Sequence, residues 1–332
     1  MASLTSSIHR LTATPTYLTI ALGAGLVTWQ AAAGTVPWLV QILVFGILLF
    51  GSGIPHGALD HLINQETALR SGHRFSLVRF LARYLLTMAV YALAWYLFPA
   101  LSLLLFLVMS AFHFGEADIE RVPATPAWTL TRLLAGSWVL AFILLTHVVQ
   151  VTPVLQRITQ DHALTLAIWA LAVNQASAVL IGGGVLTSLA FAVAYAINPV
   201  AMDYPRLVRL ALVLALGYGL PLLLAFGLYF GGWHALVSFQ TIHGYLRQRR
   251  PDTLTAGQIW LKSLPFTALA LVSLGLFVWW WQQYAHTWDP LPLLFVFLSL
   301  ITLPHLGVMH GMHQQVAGAP KRSATLHKPT RH

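Results

Sequence analysis

A chain of 332 residues, 58% hydrophobic and 8% charged, falls outside the ordinary soluble class, in which about a quarter of residues carry charge. The absence of cysteine excludes disulfides, iron–sulfur clusters and thiolate metal sites. The net charge of +9 resides in loops between apolar runs and reads as membrane topology, so no nucleic-acid partner is expected.

Many apolar stretches exceed the ~20 residues that cross a hydrocarbon core. The alternating pattern of a membrane barrel is missing. The expected fold class is therefore all-α, a polytopic transmembrane helical bundle of about ten spans. In chain order the predicted spans are 17–33, 37–56, 80–98, 101–115, 133–151, 163–197, 207–220, 221–246, 263–283 and 291–311. Arg10 and the apolar run ending at Gln30-Ala31-Ala32-Ala33 look like a cleavable signal, but with so many later spans the segment reads as a retained signal-anchor. The stretch 163–197 is long enough for one crossing or two. One net crossing, broken at Gly182-Gly183-Gly184, leaves 17 of the 18 Lys and Arg on the cytoplasmic side and only Arg157 outside. Both termini are then cytoplasmic, and the protein is a multi-pass protein of the cell (inner) membrane. Residues 1–313 read as a single transmembrane domain and 314–332 as a basic, disordered cytoplasmic tail held near anionic lipid. Trp279-Trp280-Trp281 reads as an interfacial aromatic belt.

Polar groups on membrane helices are costly and mark function. Four histidines arrive on four different apolar segments: His56, His113, His234 and His305. The next basic residues, Arg70, Arg121, Arg247 and Lys321, follow them by 14, 8, 13 and 16 positions. At the helical rise those gaps are roughly 12–24 Å, so the four imidazoles can share one layer of the bundle and converge on a metal ion. Neutral imidazole suits iron, copper and zinc. Gly57, Gly115 and Gly232 beside the histidines permit close helix approach, and Pro55 and Pro304 kink the helices just before His56 and His305. Asp60 and Asp118 are candidates to accept the second ring N–H of a ligand, or else are helix-end residues. Phe112, Phe114, Tyr229, Phe230, Trp233 and Phe239 flank the candidate ligands and read either as walls of an apolar tunnel or as core packing. His310 and His313, one turn apart, form a possible pair near the tail.

At these residues the chain resembles the Brp/Blh family of bacterial and archaeal membrane β-carotene 15,15′-dioxygenases. The matching strings are Pro55-His56-Gly57-Ala58-Leu59-Asp60, Ser110-Ala111-Phe112-His113-Phe114-Gly115-Glu116, Leu228-Tyr229-Phe230-Gly231-Gly232-Trp233-His234 and Thr302-Leu303-Pro304-His305. The resemblance implies an iron(II) enzyme that splits the central double bond of β-carotene with O2 into two retinals, its substrates arriving through membrane lipid and its product passing to an opsin-type acceptor. The family's iron ligands carry over to His56, His113 and His234. Its fourth stands four residues after the third, where this chain has Ser238; either His305 completes the shell or the site has three histidines.

Two other classes compete. A di-iron desaturase or hydroxylase would carry dense boxes such as His-x-x-His-His, and no adjacent histidine pair is present. A histidine-relay transporter needs a polar file through both leaflets, whereas the outer half of each span is mostly apolar.

Overall fold

The protein is described by a computed structural model covering residues 2–248, 255–285 and 290–318. With no water in a bilayer core, each apolar run closes its backbone hydrogen bonds within itself. Only helices and turns result among the described residues. They run as α1 (Ala2–Ala33), α2 (Trp38–Leu48), a π turn (Leu49–Gly53), α3 (Ile54–Gly57), α4 (Asp60–Arg70), α5 (Leu77–Leu97), α6 (Pro99–Asp118) and α7 (Pro126–Thr146). Next come α8 (Val148–Ile158), α9 (Ala163–Asn174), α10 (Ala176–Ile197), α11 (Tyr204–Tyr218), α12 (Leu222–Tyr229), a second π turn (Phe230–Ala235), α13 (Leu236–Arg247), α14 (Ala256–Ala285) and α15 (Pro290–Gly318).

Local chemistry sets many boundaries. Pro99 and Pro126 open α6 and α7, where a missing N–H costs nothing. Ser76 and Asp203 cap α5 and α11 through the amides of Arg79 and Arg206. Gly34 and Gly72 follow α1 and α4 with φ of +80° and +73°, a conformation other residues rarely adopt.

Eight helical stretches among the described residues are long and apolar enough to span a bilayer, which makes this a multi-pass membrane protein. Two of the roughly ten expected spans are not among the eight: 17–33, within α1, and 207–220. The run 207–220 forms α11, which at 15 residues is short for a span. The run 163–197 breaks at Gln175, not at the triple glycine. Its first part, α9, is 12 residues, or about 18 Å, too short to cross alone, whereas the 22 residues of α10 suffice. Gly183 and Gly184 instead lie against the indole of Trp138, whose Nε1 donates to the Leu180 carbonyl at 2.9 Å. The last helix continues to Gly318, past the expected boundary at 314; the remainder of the tail lies outside the described residues. Trp279 and Trp280 are exposed, as a lipid-facing belt requires.

The α12–α13 stretch is the hub. Buried residues make up 72% of its most apolar window, against 56% for α6 and none for α10. Glycine brings α6 and α7 into backbone contact: a Cβ on Gly115 would overlap the Arg132 carbonyl, and one on Gly136 the Ala111 carbonyl.

Candidate metal centre

His56 comes shortly after the first π turn, and His234 lies inside the second. A π turn inserts one residue into a helix, which rotates the next helical segment about the axis and frees a carbonyl. The freed groups join the two turns. Ser52 donates to the Gly231 carbonyl at 2.8 Å, and Thr19 of α1 donates to the Gly232 carbonyl at 2.6 Å. A Cβ on Gly231 would lie 2.7 Å from the Leu48 carbonyl oxygen, so only glycine permits this approach. His113 is placed by α6, locked to α7 at Gly115 and Gly136. His305 succeeds Pro304 within α15.

These four imidazoles meet. Ring centroids are 4.7 Å apart for His113 and His234, 5.0 Å for His56 and His305, 5.1 Å for His113 and His305, and 5.5 Å for His56 and His234. One ring nitrogen from each of His56, His113 and His305 lies within 4.8 Å of the others. All four residues are 5% exposed or less. Nδ1 of His56, both ring nitrogens of His113 and His234, and Nε2 of His305 have no hydrogen-bond partner. Buried nitrogens without partners are expensive, and so many in one place suit a common ligand, a metal ion. A set of neutral imidazoles is also the right chemistry for a transition metal.

Asp60 accepts from Nδ1 of His305 at 2.7 Å and from the Tyr84 hydroxyl at 3.1 Å, which leaves the Nε2 lone pair of His305 available. Asp118, the other candidate and the last residue of α6, touches no histidine. It accepts from the Tyr229 hydroxyl at 3.0 Å and from the Trp233 indole at 2.7 Å, so it braces the π turn that carries His234. Ser238 is buried and its hydroxyl is unpartnered.

A cavity of about 330 Å³ opens against the histidines. Of the four expected tunnel residues Phe112, Phe114, Tyr229 and Trp233, only Phe114 lines it; Phe230 does as well. Tyr229 and Trp233 are held back by Asp118, and Phe112 lies against His310, with centroids 5.8 Å apart. Phe239 packs in a separate cluster with Ile242 and Met309.

A family model for beta-carotene 15,15′-dioxygenase matches residues 45–313, the stretch that holds all four histidines. The chain belongs to the beta-carotene 15,15′-dioxygenase family. A relative named beta-carotene 15,15′-dioxygenase, from an uncultured marine bacterium (66A03), is 38% identical over 93 residues, which take in 28% of this chain and 32% of the relative. The match thus spans about a third of that relative's length. No solved structure matches the chain.

Several residues of this dioxygenase-family site escaped the sequence reading. Tyr84 was hidden in an ordinary span. Glu116, one turn beyond His113, is buried with His310 Nδ1 at 3.1 Å and His313 Nδ1 at 3.7 Å; its place three residues after a histidine was the available signal. Arg132 donates to the Ile119 and Val122 carbonyls and fixes the chain leaving α6. Just past α6, Glu120 meets Arg206 at 2.6 Å and Thr241 at 2.5 Å, while Arg206 also bonds the Ala117 carbonyl. Burial raises the Glu120 carboxyl, but the Arg206 guanidinium and its other partners outweigh it and hold the group below its usual range.

Proposed function

We propose that this chain is an iron(II)-dependent dioxygenase that cleaves the central double bond of β-carotene, or a related carotenoid, with O2 to give two retinals. The observation that carries the reading is the convergence of four buried histidines, their ring nitrogens largely unpartnered, on one wall of an apolar cavity in a chain of this family. His56, His113, His234 and His305 would hold the metal, with His305 standing in for the imidazole that Ser238 cannot supply. Iron(II) bound there would supply the redox chemistry that activates dioxygen.

The remaining work falls to the chain itself. Asp60 keeps the proton of His305 on Nδ1 and so fixes the ring's orientation. Phe114 and Phe230 border the histidines and present apolar faces to a polyene. The hydrocarbon walls exclude water from reactive oxygen species. No proton transfer is demanded of the protein, because both oxygen atoms end in the two aldehydes. β-Carotene and O2 both dissolve in membrane lipid, the expected source of each, and an opsin-type protein is the expected acceptor of retinal. The positive-inside pattern of the loops supports an inner-membrane reading with both termini cytoplasmic.

Expression in a β-carotene-accumulating bacterium tests this reading. Loss of colour with retinal appearing in extracts is the expected result. Unchanged pigment with the protein correctly inserted would refute it.

A further inference from the structure

We propose that the cavity at the histidines is a blind pocket with one mouth in the lipid, and that its closed end, roofed by α8, is the ruler that selects which double bond is cleaved. This rests on the dioxygenase reading above and adds the origin of its regiospecificity.

The lining residues divide by exposure. Leu85, Leu269 and Ser273 are the ones on the outer surface, and all belong to α5 or α14. Leu85 is 59% and Leu269 54% exposed, although both also line the cavity. The space between those helices is therefore a lateral opening to the membrane. At the other end, α8 contributes Val151, Val154, Leu155 and Ile158, all buried. Their i, i+3, i+4, i+7 spacing puts one apolar stripe over the cavity, while Gln156 and Arg157 occupy the exposed face.

This roof is pinned. His147, which precedes α8, sets Nδ1 2.7 Å from the Ile143 carbonyl and Nε2 2.9 Å from the Leu220 carbonyl, and a neutral ring donates to one of the two. Gln150 accepts the Leu222 amide at 2.6 Å, and Thr152 accepts the Trp169 indole at 2.9 Å. A second cavity of about 270 Å³ lies beyond, divided from the first by side chains that line both: Val154, Leu222, Phe226 and Phe295. The stop is thus a definite wall, one side chain thick.

A conjugated polyene is stiff. When the ring of a carotenoid enters from the lipid and rests against α8, the carbon pair beside the histidines is set by the distance between wall and rings. In the cleavage the C=C and O=O bonds break and two C=O bonds form, one oxygen atom to each carbon, with no further reductant. A molecule seated one double bond short would give a shorter methyl ketone and a longer aldehyde instead of two retinals.

Chromatography of the products in carotene-accumulating membranes tests the ruler. Val151→Phe thickens the wall and is expected to raise the ratio of off-centre to central products at least about tenfold, as pocket changes of this size do. Val149→Phe, on the exposed face of α8, is expected to leave retinal as the product. With the unaltered protein, carotenoids truncated at one end are expected to yield one retinal each, because only the ring against α8 is measured. If Val151→Phe makes retinal alone at the original rate, or inserts and cleaves nothing, the ruler is wrong while the dioxygenase reading stands. Truncated substrates whose ring-bearing fragment is longer or shorter than retinal would also overturn it. If the unaltered protein forms no retinal from β-carotene, the dioxygenase reading itself fails.

Discussion

Asp60 commits both carboxylate oxygens, one to His305 and one to Tyr84, in a bundle interior that offers no water in exchange. Asp60→Asn removes the charge that favours the Nδ1 proton of His305. Metal affinity is expected to fall roughly 10–100-fold, the range for partners of metal-bound histidines. Metal titration of protein with unchanged melting temperature checks this. Asp118 predicts the opposite pattern. Asp118→Ala leaves the Tyr229 hydroxyl and Trp233 indole without acceptors, at a cost of about 1–3 kcal/mol for each. Thermal unfolding in detergent should show that loss directly, with metal affinity weakened only through the slackened turn around His234. The histidines were legible in the sequence because imidazoles on apolar helices stand out against their surroundings. Asp60 and Asp118 were both legible as candidate partners, but not which of them would meet a ring, because an Asp at a helix end reads alike whether it meets a histidine, a tyrosine or solvent; packing between distant helices decides.

Among the elements, the α6–α7 crossing holds His113 in place by backbone contact. Gly115→Ala adds one methyl against the Arg132 carbonyl. Because a carbonyl cannot swing aside as a side chain can, a destabilisation of at least about 1–3 kcal/mol is expected. Gly275→Ala, in α14 where a Cβ meets nothing, should be neutral or slightly stabilising in the same melting assay. The Glu120–Arg206 contact ties the end of α6 to α11 and, through Thr241, to α13. Arg206→Met leaves Glu120 only the exposed Arg121 guanidinium, 3.9 Å away, as a cation, and is expected to cost at most about 3–5 kcal/mol. Since the folded Glu120 carboxyl is held below its unfolded value, its contribution is complete above the unfolded carboxyl's pKa of about 4.3 and disappears as pH falls through the lower folded value. The melting temperature of the native protein should therefore drop in that acid window, and the Arg206→Met protein should drop less. At this scale, long apolar runs predict helices well, but they hide where a helix turns. The predicted span 133–151 conceals the break at His147, because Thr146 and His147 satisfy carbonyls of their own helix and stop α7 without a Gly or Pro. The separate stripe of α8 therefore went unseen, although its spacing from Val151 to Ile158 is amphipathic.

Across the whole molecule, the bundle arranges two environments. The hub of α6 and α12–α13 is buried and carries polar partners for its carboxylates. The outer helices α5 and α14 border, with exposed Leu85 and Leu269, the cavity that ends at the imidazoles. The all-α membrane class emerged from composition alone, and the convergence of four segments far apart in sequence could be anticipated from their similar depth. The sequence could not tell which way each ring turns, because the two π turns that aim His56 and His234 depend on Ser52, Thr19 and Leu48 meeting glycine backbones across the bundle. The central claim is that one transition-metal ion sits among His56, His113, His234 and His305. Elemental analysis of the purified protein beside its His113→Ala variant tests this most directly. The account predicts close to one equivalent of metal per chain in the first, lost in a variant that still inserts. Equal metal in both proteins, or none in a preparation that makes retinal, would contradict it.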